Sequence, residues 1–431
     1  MLLFSETITP RLRYITGFIG EELIGQPLLL TDQQQVFEQY PGAKINYSSG
    51  VITGQEIQIH PVSLLFEEGV QPQETNCFIN QDRKAFFKTT GDWPFDIFAA
   101  SFYLLSRYEE YLPYTKDLYG RYPHTESLAF KNNFLDTPLV NYWLSHFAVL
   151  LKSKFPSLLL KEKAFRFLPT YDIDEAFSFL HKGWLRNTGG FLRDLFTGHF
   201  DQCVQRLKVL AGTKQDPYDA FDNMHRLHEK YQLNPLFFFL LAKQKGIYDK
   251  NTDPVSPAMD ALIRSHAVKY PVGIHPSWQS GENENWLKEE IDLLQSVSGK
   301  PVTVSRQHFL RFTLPGGYRR LLAAGIREDH SMGYGMVNGF RASVAAPFYW
   351  YDLEKETTTD LRIYPFCYMD ANSFYELKHS PEQALEEMKH YYREVKKVNG
   401  LLITLWHNTF LGTDPQFNGW KKVYEDFLTS L

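Results

Sequence analysis

The chain has 431 residues, 43% of them hydrophobic, with Lys+Arg 45 against Asp+Glu 50 and a net charge of -5. That length and apolar content allow a large core and favour two domains, while the charge balance gives no basic footprint for nucleic acid and no polybasic membrane signal. Cys77, Cys203 and Cys367 are far apart and lack CxxC spacing, no window approaches 18 uninterrupted apolar residues, and the start MLLFSETITPRLRYITGF has no signal-peptide pattern. A reduced, cytoplasmic setting without a membrane span is therefore expected.

Residues 1–160 carry short β-like runs at 11–19, 28–31, 44–47 and 56–60, broken by Gly, Pro and Gln-rich turns. Helical spacing follows over 94–111 and 138–151, the second after an Asp136-Thr137-Pro138 start signal. This half is read as a smaller α+β accessory domain with a role in substrate choice. Tyr122, His124 and Glu126 are read as a polar surface loop. The boundary is placed near Lys161, where the charged stretch LKEKAF precedes the next strand.

From residue 161 to 431 the pattern is a β run, a polar residue at its C-terminal end, then a helix-like segment. The runs fall at 165–171, 235–242, 271–274, 301–304, 339–340, 361–369 and 400–406, with amphipathic segments at 218–231, 285–297, 381–398 and 420–428. Such alternation predicts parallel strands with helices outside, as a barrel or a doubly wound sheet, and a ligand site at the strands' C-terminal ends. The stretch 179–213 interrupts the alternation and reads either as an excursion over the site or as a surface insertion. No GxGxxG or GxxxxGK[ST] follows any run, so no nucleotide cofactor is expected.

The stretch FRFLPTYDIDEAF (165–177) ends a β run in two carboxylates, Asp172 and Asp174, which an extended backbone would project from one face. Two acids so placed can hold a cation, or divide into a metal ligand and a general base; Asp174 alone would also serve as a helix N-cap. The other strand ends offer His275, Arg306 with His308, Arg341, Asp370 and His407. Carboxylates and imidazoles bind a divalent ion such as zinc, a free carboxylate can take a proton from water, an Arg can orient that carboxylate, and a separate His can protonate a leaving group.

The order TYDID (170–174), GIHPSW (273–278), GFRAS (339–343) and ITLWHN (403–408) resembles the polysaccharide deacetylases of carbohydrate esterase family 4, the NodB-homology fold, over residues 165–431. The resemblance implies a distorted (β/α) barrel and metal-dependent removal of an N-acetyl group from an amino sugar in a glycan or glycan precursor. It implies Asp172 as the base, Asp174 and His275 as metal ligands, Arg341 as the residue holding Asp172, His407 as the acid, and Trp278 and Trp406 as pocket walls. Two departures stand out: Ile173 separates the two acids, and Gln279 occupies the position of the family's second metal-binding His. A third ligand is then expected from His308, at the end of the next strand, with His330 as its competitor. Two other functions stay open. One is a carbohydrate-binding protein that has lost its metal, and the other is a (β/α)-barrel glycosidase using Asp172 or Asp174 with Asp370. The sugar and the oligomeric state are not legible.

Overall fold

In the computed structural model, which describes residues 1–431, the first four strands are β1 (Leu2–Phe4), β2 (Leu29–Thr31), β3 (Lys44–Asn46) and β4 (Ile57–Gln58), paired in parallel in the order β2-β1-β3-β4. The run at 11–19 is helical, not extended. The helix Pro10–Ile24 begins where the Thr9 hydroxyl accepts from the Leu12 N–H and Pro10 fills the first turn. Leu12, Ile15, Ile19 and Leu23 are buried at the helical period, and that burial overrides the low helix propensity of Ile15, Thr16 and Ile19 and of Gly17 and Gly20. A crossover helix between parallel strands makes this part α/β where α+β was expected. A hairpin of β5 (Phe78–Asn80) and β6 (Arg83–Ala85) and the helices Ile97–Leu105 and Leu139–Lys154 complete it.

The second sheet comprises β7 (Arg166–Ile173), β8 (Leu236–Leu240), β9 (Val272–His275), β10 (Val304–Ser305), β11 (Glu328–Asp329), β12 (Phe348–Asp352), β13 (Thr357–Ile363), β14 (Tyr368–Met369) and β15 (Leu401–His407). Its order is β12-β13-β11-β10-β9-β8-β7-β15-β14, parallel except for the β12–β13 pair. No strand forms at 339–340, which lies in a turn.

The sheet curls strongly. Side chains stand roughly perpendicular to a flat sheet, and three strand steps separate β7 from β10, about 14 Å. Yet Arg306, just past β10, donates to Asp172 Oδ1 (2.8 Å) and to Thr170 Oγ1 (2.7 Å) on β7. Residues 364–367 also link β13, beside β11, to β14, beside β15, and the Phe366 N–H donates to the Met332 carbonyl across that seam. The pairing describes a strongly curled sheet, and no ladder joins β11 to β14.

One hydrophobic cluster of 93 buried residues runs from Met1 to Leu428, across the expected boundary near Lys161. Buried ion pairs cross it too: Arg341 clasps Glu110 (2.9 and 2.6 Å), which also accepts from Arg107 (2.8 Å). The first 160 residues are thereby packed against the loops that follow β11. The stretch 179–213 folds into a helical hairpin, Gly183–Phe196 and Phe200–Leu210.

Candidate active site

Alternation along each strand sorts its residues between the helix layer and the interior of the curl. On β7 the Tyr171 hydroxyl meets His228 Nε2 and Tyr424 in the helix layer, while Asp172 turns inward to Arg306. On β15 Trp406 packs outward against Trp420 and Tyr424, fully buried, and His407 turns inward. Trp406 is therefore core and not a pocket wall. Trp278 also stays behind the site, stacked on Tyr248 at 4.0 Å.

Asp172, Asp174, His275, His308 and His407 line one cavity of ≈ 460 Å³. Tyr119 and Arg121, from the first 160 residues, close one side of it, with Phe309, Tyr375 and Phe410 among its aromatic walls. Tyr122, His124 and Glu126 do not line it. Phe309 and Leu310, following His308, both adopt left-handed backbone (φ 56° and 52°). Non-glycine residues held there store strain of the kind that collects at binding sites.

Asp174, His275 and His308 present ligand atoms that all lie within 4.8 Å of one another. His275 Nε2 is 3.2 Å from Asp174 Oδ1, and His308 Nε2 is 3.5 Å from Asp174 Oδ2. Each imidazole is held from behind by its other nitrogen. His275 Nδ1 donates to the Arg306 carbonyl (2.5 Å), His308 Nδ1 to Asp249 (2.9 Å) and His407 Nδ1 to Asp370 (2.7 Å). These partners fix the tautomer and leave every Nε2 facing the cavity, the arrangement that outer partners give to metal-binding histidines.

The donor set suits a divalent cation. Asp174 Oδ1 is buried and accepts no hydrogen bond although His275 Nε2 is close by. Two imidazole nitrogens and a carboxylate thus converge on one point, where a cation would take the place of the proton that His308 shares with Asp174. Two imidazoles and one carboxylate also match the three protein ligands of catalytic zinc sites. Burial would raise the Asp174 carboxyl, but His308 and His275 outweigh it and hold it well below the ordinary range. Burial would likewise lower His308; Asp174 and Asp249 instead lift it to about 9.

Arg341 is the clear correction. It was expected to hold Asp172, but it sits in the turn after residue 340 and is spent on Glu110. Arg306 occupies that role's place, its guanidinium donating to Asp172, to Thr170 and through Nε to the His330 carbonyl (3.0 Å), and lying over Phe238. His330 itself faces away from the cavity, stacked on Tyr364 at 4.6 Å. Gln279 does not reach the cavity either. Asp249 escaped the sequence reading because it lies nine residues past the end of β8, where attention to strand termini does not extend.

Among known proteins, a family of unknown function (DUF7033) matches residues 1–156. No curated protein matches the chain. Solved structures similar to it include two described as polysaccharide deacetylases. One, assigned as such from Mycobacterium smegmatis, is 12% identical over 63% of this chain and 84% of its own, with a TM-score of 0.40. Bc1974 from Bacillus cereus is 12% identical over 62% of this chain and 88% of its own, with a TM-score of 0.30. A mutant of BA3943, described as a CE4 family pseudoenzyme with restored enzymatic activity, is 8% identical over 62% and 64%, with a TM-score of 0.29.

Proposed function

We propose that the protein is a metal-dependent hydrolase that removes the N-acetyl group of an amino sugar in a glycan or glycan precursor, with residues 1–160 as an accessory domain that helps to shape the cavity. The observation that carries this reading is the convergence of three sets of side chains in one cavity. They are the Asp174–His275–His308 donors, the Arg306-held Asp172, and the Asp370-held His407. Asp174, His275 and His308 would hold the cation, zinc by donor type. When bound, it supplies Lewis-acid polarisation of the amide carbonyl and acidification of water.

The remaining chemistry belongs to the chain. Arg306 fixes Asp172 through Oδ1, so Oδ2 is the oxygen that takes the proton of the attacking water. Burial would lower the His407 imidazole, but the Asp370, Asp174 and Asp172 carboxylates lift it to about 10. It is therefore protonated at neutral pH and gives its Nε2 proton to the departing amine nitrogen. Asp370 accepts from the His407 N–H, from His407 Nδ1 and from the Ala371 N–H (2.7, 2.7 and 2.6 Å). So occupied, it is a poor second carboxyl for a glycosidase. His308 supplies the donor that Gln279 does not, which weighs against a metal-free sugar binder.

The test is acetate release from N-acetylated amino-sugar oligosaccharides by chelator-stripped protein before and after addition of zinc. Release that requires the metal is expected. Sugar binding unaffected by chelator, with no acetate released under either condition, would overturn the reading.

A further inference from the structure

The helical hairpin of residues 183–210 turns its apolar side outward. On its first helix Trp184, Leu192 and Phe196 follow the helical period and are 75%, 45% and 84% exposed; on the second, Phe200, Val204 and Leu207 are 62%, 48% and 55% exposed. The side turned inward mixes Cys203 and Val209 with Gln205 and an ion pair, Asp194 and Arg206 being buried against each other at 2.7 Å. Most of the hairpin's large apolar side chains therefore face outward, against the usual arrangement in which the apolar stripe faces the core. Large apolar side chains exposed in such number mark an interaction surface.

Charge says what covers it. Between residues 181 and 214 stand six cations, Lys182, Arg186, Arg193, Arg206, Lys208 and Lys214, against only Asp194 and Asp201, in a chain that is otherwise acidic. Arg186, Arg193, Lys208 and Lys214 are exposed beside the apolar stripe. Exposed Trp, Phe and Leu flanked by Lys and Arg are what an interfacial helix presents to an anionic lipid surface. No helix of the structure is long and apolar enough to cross a membrane, so the contact would lie in the headgroup plane.

The hairpin is rooted at the mouth of the cavity. Glu175, which enters it, and Tyr218, which follows it, both line the cavity, and Lys182 pairs with Glu175. Asp216 clamps the stem by accepting from the N–H groups of Ser178, Phe179 and Leu180 (2.7, 2.8 and 2.9 Å). We propose that the hairpin is an interfacial anchor that seats the cavity end of the protein on an anionic bilayer, where the cavity receives substrates carried at headgroup level. The anchor does not depend on the catalytic reading.

The test is co-sedimentation of the full-length protein with vesicles of phosphatidylglycerol and phosphatidylcholine, and with phosphatidylcholine alone, alongside light scattering of the free protein. Binding to the anionic vesicles is expected. It should weaken about 100-fold in a Trp184→Ser, Phe196→Ser, Phe200→Ser variant and about tenfold or more in an Arg186→Glu, Lys208→Glu variant. If the triple variant loses its fold, the charge-reversal variant decides alone. Failure to bind anionic vesicles, equal binding to neutral ones, or a dimer that the serine variant dissociates in place of vesicle binding would each overturn the proposal.

Discussion

Replacing Arg306 by Met tests the placement of the base most sharply. The guanidinium is completely buried and makes hydrogen bonds to Asp172, Thr170 and the His330 carbonyl. Met matches its stem but leaves the Asp172 carboxylate buried beside unpaired acceptors. Removing one partner of a buried ion pair costs about 3–5 kcal/mol. Arg341→Met removes a bidentate partner from Glu110 and should cost a similar amount, yet Arg341 does not line the cavity. The two variants thus share a stability penalty and differ in chemistry. Denaturant unfolding should report comparable losses for both. Steady-state acetate release should report kcat lowered about 10²-fold with KM little changed for Arg306→Met alone, because a misplaced base acts on the transition state and not on binding. Arg306→Lys, which keeps the charge but not the fork, should fall between. Equal kcat losses in the two Met variants would refute the assignment of Arg306 as the positioning residue.

Other outcomes follow from the same geometry. Asp172→Asn and His407→Ala should each lower turnover by about 10²–10⁴-fold with zinc content unchanged, measured by acetate release and metal analysis. Asp249→Ala removes the partner of His308 Nδ1 and should weaken zinc binding by about 10–100-fold in competition with a chelator. His266 is packed among Phe221, Phe237 and Phe239, and burial pushes its pKa from 6.5 down to about 4. The unfolded chain therefore takes up that proton first as pH falls, so this contribution to stability is intact above pH 6.5 and lost between pH 6.5 and about 4. The loss at pH 5 is about 2 kcal/mol, and His266→Phe should flatten the wild-type decline in denaturant-measured stability by that amount.

What the sequence disclosed was governed by local period. The runs that became β7, β8, β9 and β15 and the helices Phe221–Tyr231, Glu284–Ser298, Pro381–Lys397 and Trp420–Thr429 carry their burial pattern in consecutive residues. Reading the polar residue at each strand end then found the residues that the curl brings together at Asp172, Asp174, His275, His308 and His407. Arg341 failed because the residues before it form no strand, and its partner Glu110 is 231 residues away in sequence. Arg306 was visible at its strand end, but only the curl, a property of the whole sheet, turns it toward Asp172. The helix at 10–24 was lost to its β-branched residues despite the Thr9-Pro10 start signal. The outward apolar face of the hairpin could not be read from period alone, because period does not say which side meets the protein.

The proposal that Asp174, His275 and His308 together hold a divalent cation is tested most directly by calorimetric titration of zinc into chelator-stripped protein. The geometry predicts one zinc per chain, affinity lower by orders of magnitude in His308→Ala, and affinity unchanged in Gln279→Ala. Zinc retained without His308 and lost without Gln279 would contradict it.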